Sequence, residues 1–275
     1  MKPYLFKNLF DLQGKTAVVT GGLGILGKRI CQGLAEFGAN VVVVDLHENG
    51  AIAFAEELTD VYGVKCLGVQ CDVSSTESVK EMVEKTVRTF GEIHILHNNA
   101  ASKSSDLDAF FAPFEEYTLD QWREIMAVNI DGMFLVAQSI GKQMVLQGKG
   151  GSIIQTASIY GIVAPDNRIY EGSYYLGKQI NTPAVYSASK ASVVGLTKYL
   201  SSYWASHGIR VNTLIPGGIQ SGQNETFITK YSNRVPMGRM GRPEEIVGAV
   251  IYLASDASSY VTGQQFVIDG GLSVW

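Results

Sequence analysis

The stretch KTAVVTGGLGILG, residues 15–27, places the glycine spacing GxGxxG between an apolar, β-branched run and an amphipathic segment that continues to about Phe37. In a strand–turn–helix unit of this kind, we expect Gly22 to permit the tight turn, Gly24 to leave room for a pyrophosphate, and Gly27 to let the helix pack closely on the strand. The amino terminus of the helix would then face the phosphates. The stretch therefore predicts the first strand and helix of a dinucleotide-binding unit.

The next predicted strand, residues 41–45, ends in an acid. The carboxylate of Asp45 can accept hydrogen bonds from the hydroxyls of an adenosine ribose, and it would repel a 2′-phosphate. Leu46, which follows it, offers no charge to neutralise such a phosphate. We therefore predict NAD as the cofactor. NADP stays open as the alternative because Lys28 and Arg29 lie on the first predicted helix, and Asp45 could also be an ordinary turn acid.

Short β-branched runs alternate with longer helical stretches along the chain, which is typical of parallel strands joined by crossover helices. The predicted strands are 16–20, 40–45, 65–71, 93–98, 151–156, 209–215 and 265–268. We expect an α/β protein of the Rossmann type, doubly wound, with a mostly parallel seven-stranded sheet and helices on both faces. No repeat or linker-like stretch divides the chain, so we expect one domain over residues 1–275.

Composition and charge argue against several classes of partner. The formal net charge is −4, which gives no attraction to nucleic acid, and no apolar run approaches the roughly 20 residues of a membrane helix. The three cysteines form no CxxC pair, and neither they nor the four histidines have metal-ligand spacing, so we expect no metal. The first residues lack the apolar run of a secretory signal, and we expect a cytoplasmic protein.

A tyrosine and a lysine, Tyr186 and Lys190, stand four residues apart in a segment with the pattern of a continuous helix. A positive charge nearby would lower the pKa of the phenol and make it usable as a base. The alternative is an exposed tyrosine beside a solvated lysine. A second YxxxK pair, Tyr174 and Lys178, is interrupted by Gly177, so no helix is expected to hold that pair.

Several motifs in a fixed order complete this pattern, and with them residues 12–271 resemble the short-chain dehydrogenase/reductase family, single-domain branch. The motifs that carry the resemblance are the glycine turn, Cys71-Asp72-Val73, Asn98-Asn99-Ala100-Ala101, Val128-Asn129-Ile130, Ser158, Tyr186 with Lys190, Ile215-Pro216-Gly217-Gly218-Ile219, Tyr260-Val261-Thr262-Gly263-Gln264 and Ile268-Asp269-Gly270-Gly271. The resemblance implies a reversible oxidation of a secondary alcohol to a ketone. Similar proteins usually form tetramers, so a homotetramer or a homodimer is expected.

The resemblance also implies roles for individual residues. Tyr186 would be the catalytic acid and base, Lys190 would lower its pKa and hold the nicotinamide ribose, Ser158 would hydrogen-bond the substrate oxygen, and Asn129 would support a water that links Lys190 to solvent. The adenine would lie between Asp72 and Val73, and the backbone of residues 216–219 would contact the nicotinamide amide. The expected cofactor-binding residues are Gly22, Gly24, Ile25, Leu26, Gly27, Asp45, Leu46, Asp72, Val73, Asn98, Asn99, Ala100, Tyr186, Lys190, Pro216, Gly217, Gly218 and Ile219.

The sequence departs from the family pattern in its glycine turn, since Ile25 stands where the single-domain members usually have their middle glycine. The spacing resembles the extended branch, which includes sugar-nucleotide epimerases and dehydratases with internal redox, but the large C-terminal substrate domain of that branch is missing. Ala101 replaces the last glycine of the NNAG motif. A non-catalytic NAD-binding protein is a further alternative.

The third departure is the long separation of Ser158 from Tyr186, because residues 163–183 look inserted. An insertion at this place should emerge beside the substrate, and its candidate recognition groups are Arg168, Tyr170, Glu171, Tyr174 and Lys178. These groups suggest a polar or anionic substrate, which fits a small sugar-like molecule such as a polyol or a sugar acid. The insertion also bears a weaker resemblance to oxidoreductases of flagellin modification and nonulosonic-acid pathways. The alternative is a loop that packs on a neighbouring subunit.

Overall fold

The computed structural model describes residues 5–104, 106–175 and 177–275. The strands are β1 Thr16–Thr20, β2 Asn40–Asp45, β3 Cys66–Gln70, β4 Ile95–Asn98, β5 Gly151–Thr156, β6 Tyr174–Tyr175, β7 Lys178–Gln179, β8 Ile209–Pro216 and β9 Gln265–Ile268. Seven of them form one sheet in the order β3-β2-β1-β4-β5-β8-β9, and every pairing in that sheet is parallel. The predicted Rossmann-type architecture is confirmed.

The α-helices alternate with these strands. They are α1 Ile25–Glu36, α2 Glu48–Tyr62, α3 Thr76–Phe90, α4 Leu107–Phe110, α5 Leu119–Met126, α6 Met133–Gln147, α7 Ala184–Tyr203, α8 Glu225–Ser232 and α9 Val247–Ala254. Short 3₁₀ turns lie at Phe6–Phe10, Phe114–Glu116, Ile159–Gly161, Asn167–Tyr170, Ala205–His207, Pro243–Ile246, Asp256–Ser258 and Leu272–Val274. A π-helical turn, Ala127–Gly132, joins α5 to α6, and the sequence pattern does not indicate this distortion.

Both faces of the sheet are buried under helices, and strand β2 shows why. Because successive side chains of a strand point to opposite faces, Val41 and Val43 pack into one core with α1, α2 and α9. Val42 and Val44 pack into the other core with α3 and α6. All four valines are fully buried, which explains the uninterrupted apolar run in the sequence. In the described ranges, no helix is long and apolar enough to cross a membrane.

The order of the strands places the ligand-binding crevice. The connections run in opposite directions on the two sides of the neighbouring strands β1 and β4, and ligands of such sheets bind at the carboxyl ends of the strands at this point. The glycine turn follows β1, residues 99–101 follow β4, and Ser158 follows β5. The topology therefore brings the separate sequence motifs to one edge of the sheet.

Candidate active site

The glycine turn after β1 is shaped by close backbone contacts. A Cβ atom at Gly27 would lie 2.1 Å from the Gly21 carbonyl oxygen, which confirms that only glycine lets α1 approach β1 this closely. Gly21, rather than Gly22, has the left-handed backbone, with φ +64°. Gly22 is instead required because a Cβ there would lie 2.7 Å from Cγ1 of Val43. Gly21 therefore supplies the left-handed conformation of the turn, while Gly22 is needed for close packing against β2.

We expect Gly27→Ala to lower the free energy of unfolding by about 1–3 kcal/mol, because the added methyl group must displace the turn. NAD affinity should fall with it, since the same displacement moves the backbone that would face the pyrophosphate. Urea unfolding and titration of intrinsic fluorescence with NAD measure the two effects. The control is Gly248→Ala on α9, where nothing lies within 4 Å of the new Cβ and stability should hold or rise. Equal stability of Gly27→Ala and wild type would contradict the packing argument.

Asp45 lies at the carboxyl end of β2, beside the glycine turn. Its Oδ2 accepts a hydrogen bond from the backbone N–H of Leu23 at 3.1 Å, and its Oδ1 accepts one from that of His47 at 3.4 Å. Each carboxylate oxygen keeps a further lone pair that can accept a ribose hydroxyl. Asp45 is therefore held toward the turn, and the exposed Leu46 follows it.

The two basic residues of α1 contact other groups. The Nζ atom of Lys28 lies 5.7 Å from the centre of the Phe54 ring, and Nη1 of Arg29 donates to Oε1 of Gln32 at 3.0 Å. Both side chains line a separate surface cavity with Pro243. Neither therefore joins Asp45 in the described contacts.

Asn98 is one of the residues expected to bind the cofactor, but its side chain is buried among neighbouring segments. It is 1% exposed, and its Nδ2 donates to the Met133 carbonyl at 2.9 Å and to Oε1 of Gln155 at 3.0 Å. Its Oδ1 accepts the hydroxyl of Thr20 at 3.3 Å. Asn98 thus ties β4 to its neighbours. The next residue, Asn99, lines the cavity that Ser158, Tyr186 and Lys190 also line.

The chain after β3 forms a tight polar turn. The Oδ1 atom of Asp72 accepts the hydroxyl of Ser74 at 2.6 Å, and Val73 is buried against Gly132 of the π-helical turn. Asp72 is exposed, so its carboxylate stays available at the rim of the crevice. The structure places the pair on the same side of the sheet as the glycine turn.

Ser158, Tyr186 and Lys190 line a single cavity of about 410 Å³. Ser158 follows β5 and caps the 3₁₀ turn Ile159–Gly161, accepting the backbone N–H of Tyr160 at 3.3 Å. That turn packs directly on α7, since a Cβ at Gly161 would lie 2.7 Å from the carbonyl carbon of Lys190. The small residue therefore brings the serine and the YxxxK helix together.

The electrostatics of Tyr186 differ from the sequence expectation. Burial raises the pKa of its phenol, a hydrogen bond with Ser158 lowers it, and the hydroxyl of Tyr170 raises it. The Nζ atom of Lys190 lies 5.9 Å from the centre of the Tyr186 ring and donates to the Thr156 carbonyl at 3.1 Å. In the chain alone, burial therefore sets the direction of the shift, and the expected lowering of this pKa by Lys190 is not seen.

Asn129 lies on the π-helical turn and joins two segments of the site. It is fully buried, its Oδ1 accepts the backbone N–H of Ser102 at 2.8 Å, and its Nδ2 donates to Oγ of Ser189 at 3.4 Å. The Ser189 hydroxyl in turn donates to the Tyr186 carbonyl at 2.9 Å. Asn129 thereby links the loop after β4 to the helix that carries Tyr186. The extra residue of a π turn is frequent at functional sites, but the sequence gives no signal for it.

Burial lowers the pKa of Lys190 from its ordinary value of 10.5 to about 8. Between these two pH values the unfolded chain keeps a proton that the folded chain has lost, so stability rises with pH and is lost as the pH falls toward 8. We expect the difference in unfolding free energy, wild type minus Lys190→Met, to rise by up to about 1.4 kcal/mol per pH unit in this window. Urea unfolding at a series of pH values measures it. A constant difference would contradict the lowered pKa.

The insertion supplies part of the cavity wall. Tyr170 and Tyr174 line the cavity, as expected, but Arg168 and Lys178 do not. Arg168 makes two hydrogen bonds to the carboxylate of Asp166, and Lys178 forms an ion pair with Asp108. Arg168 therefore holds a turn within the insertion, and Lys178 ties the insertion to α4, instead of facing a substrate.

The insertion folds as a 3₁₀ turn and a two-stranded hairpin. Tyr174 pairs with Gln179 and Tyr175 with Lys178 across β6 and β7, and Gly177 has φ +79°. The second YxxxK pair is thus divided between two strands, as the break at Gly177 predicts.

Several cavity residues have no signal in the sequence, because they reach the site only through the fold. They are Phe110 and Phe111 at the end of α4, Tyr160, Asn181 and Thr182 around the insertion, and Phe227 and Tyr231 from α8.

The loop after β8 closes the cavity opposite Tyr186. The hydroxyl of Tyr231 accepts the backbone N–H of Gly218, and a Cβ at Gly218 would lie 2.5 Å from the Tyr231 ring. The backbone N–H of Gly217 donates to the Ile268 carbonyl at 2.9 Å. Pro216 and Ile219 also line the cavity, as the motif predicts.

Within the described residues, no group of three or more His, Cys, Asp or Glu side chains is arranged to hold a metal ion.

Comparisons with known proteins agree with this geometry. The model of the family described as enoyl-(acyl carrier protein) reductase matches residues 24–273. The chain is 35% identical over 273 residues to a D-threitol dehydrogenase of Mycolicibacterium smegmatis, covering 96% of this chain and 95% of the relative.

Solved structures are also similar over nearly their whole length. A gluconate 5-dehydrogenase of Burkholderia cenocepacia, in complex with NADP and tartrate, has a TM-score of 0.86 at 32% identity and 98% coverage of each chain. A short chain dehydrogenase of Leptospira borgpetersenii, with bound NAD⁺, has a TM-score of 0.84 at 33% identity, with 99% of this chain and 97% of that chain covered. The chain belongs to the single-domain short-chain dehydrogenase/reductase family and is an oxidoreductase acting on CH–OH groups.

Proposed function

We propose that this protein uses NAD to interconvert a secondary alcohol and a ketone on a polar, sugar-like substrate. The observation that carries the proposal is the single cavity in which Ser158, Tyr186 and Lys190 meet, beside the glycine turn and the loop of residues 216–219. This arrangement offers a hydrogen-bonding group for the substrate oxygen, a group that can take its proton, and a buried cation.

The chemistry requires one proton and one hydride to leave the alcohol. When bound, NAD⁺ accepts the hydride from the carbon. In our proposal, Ser158 Oγ hydrogen-bonds the substrate oxygen, and the phenolate of Tyr186 takes the hydroxyl proton as the carbonyl forms. The phenol returns that proton to the oxygen in the reverse direction.

Lys190 and Asn129 support this proton transfer in the proposal. Lys190 is held by the Thr156 carbonyl at 3.1 Å, from which its ammonium group favours the ionised phenol. The positive charge of an oxidised nicotinamide ring acts in the same direction and would oppose the effect of burial on Tyr186. Asn129 fixes the backbone around Tyr186 through Ser189.

The preference for NAD over NADP follows from the surroundings of Asp45. Its carboxylate oxygens can accept both ribose hydroxyls, whereas a 2′-phosphate would meet a negative charge. The exposed apolar side chain of Leu46 provides no compensating cation, and Lys28 and Arg29 make contacts elsewhere. The similar structures include complexes with either cofactor, so the choice depends on these local residues.

A sugar-like substrate suits the composition of the cavity. Aromatic rings from the insertion and from α8 can pack on the C–H faces of a polyol, while hydroxyl and amide groups of the same wall can bond its oxygens. The relatives named for threitol and gluconate act on substrates of this class.

Assembly of several copies is the remaining part of the proposal. The apolar side chains of Phe134, Leu146, Tyr199 and Tyr203 are exposed on α6 and α7, as is Trp275 at the chain end. Exposed apolar patches of this kind favour symmetric association, and we propose a homotetramer or homodimer. Light scattering after size-exclusion chromatography measures the number of copies.

The test of the function is a panel of sugars, sugar phosphates, polyols and sugar acids, with NADH formation followed by absorbance. Turnover by wild type, lost in Tyr186→Phe, is the expected result and names the substrate class. Tight NAD binding without turnover of any member would overturn the proposal and favour internal redox or a binding role.

A further inference from the structure

The active-site cavity contains a pair of hydroxyl groups that the reaction itself does not use. They belong to Tyr170, on the 3₁₀ turn of the insertion, and Thr182, near its end, and they are hydrogen-bonded to each other. Both residues line the same cavity as Ser158 and Tyr186, and Tyr170 is 6% exposed. The insertion thus places polar groups in a largely aromatic wall.

Both hydroxyls are held in position by their surroundings. The Tyr170 ring stacks on Phe227 of α8, with centres 5.8 Å apart and planes 26° apart. The neighbour of Thr182 is fixed too, because Nδ2 of Asn181 donates to the Phe111 carbonyl at 2.8 Å. A pair that is already ordered can bind a ligand without the entropy cost of freezing side chains.

The pair and the reacting groups share one cavity. Its volume is about 410 Å³, and its wall includes Ser158, Tyr170, Thr182 and Tyr186. A substrate whose reacting oxygen is held by Ser158 and Tyr186 therefore lies in the space that the Tyr170 and Thr182 hydroxyls border.

The chemistry of two linked hydroxyls favours a particular partner. One hydroxyl donates its proton to the other. The pair therefore has one proton left to donate to a ligand, and its lone pairs can still accept hydrogen bonds. A substrate hydroxyl both donates and accepts, and it matches this pair. A carboxylate only accepts and is better matched by cations. The pair itself contains no cation, and Lys190, which lines the same cavity, donates to the Thr156 carbonyl.

We propose that Tyr170 and Thr182 together recognise a second hydroxyl on the carbon next to the reacting one, so that the enzyme selects vicinal diols over simple alcohols. The inference rests on the proposed function and assigns the insertion a part in substrate choice.

The test compares kcat/KM for 1,2-cyclohexanediol, in its cis and trans forms, with kcat/KM for cyclohexanol. Wild type should prefer at least one diol. Tyr170→Phe and Thr182→Val should each lower the ratio of diol to cyclohexanol by about 3- to 10-fold, the net effect of one hydrogen bond. Any change in the pKa of Tyr186 acts on both alcohols alike and cancels in this ratio.

The matched control is Ser173→Ala, which removes another hydroxyl hydrogen bond inside the insertion, to the Ile169 carbonyl at 3.0 Å. Ser173 does not line the cavity, so general loosening of the insertion should lower the turnover of both alcohols and keep their ratio. A ratio unchanged by Tyr170→Phe and Thr182→Val would overturn the inference. A preference of wild type for 2-hydroxycyclohexanecarboxylate over the diols would overturn it as well.

If the proposed function itself is wrong, the experiment gives a result different from the one expected when only the recognition of the second hydroxyl is wrong. If wild type oxidises neither ring alcohol, the same comparison uses a polyol from the panel and its deoxy counterpart. No Tyr186-dependent turnover of any alcohol would overturn the proposed function and the inference with it. Tyr186-dependent turnover with an unaltered ratio in both variants would overturn only the recognition of the second hydroxyl.

Discussion

Replacement of Tyr186 by phenylalanine should reduce kcat about 100- to 10,000-fold, the range expected when a positioned acid–base group is lost. The ring and its packing remain, and only the hydroxyl next to Ser158 is removed. NAD affinity and the unfolding transition should therefore stay close to those of wild type. NADH absorbance with a substrate identified in the panel measures kcat, and urea unfolding checks the fold.

A matched control separates the chemistry from the loss of any phenol. Tyr62→Phe, at the end of α2, removes a hydroxyl that does not line the cavity. This variant should keep full turnover. Retention of more than about a tenth of wild-type kcat in Tyr186→Phe would be inconsistent with acid–base catalysis by this residue.

Substitution at Asp45 should give the second large effect, a change of cofactor. In the double variant Asp45→Ala with Leu46→Arg, the repulsion of a 2′-phosphate is replaced by attraction, and the ribose hydroxyls lose their acceptor. We expect the ratio of kcat/KM with NADP to that with NAD to rise about 100- to 1,000-fold, since each lost or gained charged hydrogen bond changes affinity about 10- to 100-fold.

Two further variants test the origin of this change. Asp45→Asn keeps an oxygen that can accept the backbone N–H of Leu23, so the turn is preserved while the charge is removed. It should raise the NADP to NAD ratio by a smaller factor. Asp60→Asn, an exposed acid on α2, makes the same change in net charge and should leave the ratio unaltered. A wild type that already prefers NADP would contradict the role assigned to Asp45.

Local pattern predicted the parts of the fold and site that depend on neighbouring residues. The close packing at Gly27, the buried valines of β2 and the continuous helix of Tyr186 and Lys190 each follow from a few consecutive residues. The break of the second YxxxK pair at Gly177 follows in the same way, because the left-handed backbone there ends any helix.

Predictions for polar residues were less complete, because the partner of a polar group is chosen by the fold. Asn98 belongs to an expected cofactor motif, yet contacts from three other segments bury it. Arg168 and Lys178 looked available for an anionic substrate, but each is paired with an acid. Nothing in the local sequence indicates that the partner of Lys178 is Asp108.

The sequence by itself determined the sheet, its glycine turn and the helix that carries the pair Tyr186 and Lys190, since hydrophobic periodicity and glycine spacing act over short distances along the chain. Only the tertiary structure decided which side chains surround that pair. Burial raised the pKa of Tyr186 above its ordinary value, and the hydroxyls of Tyr170 and Thr182 formed a hydrogen bond in the cavity wall. The first result depends on contacts between distant segments, and the second on how the insertion folds back on itself, because desolvation and hydrogen bonding are set by the neighbours that the fold brings together.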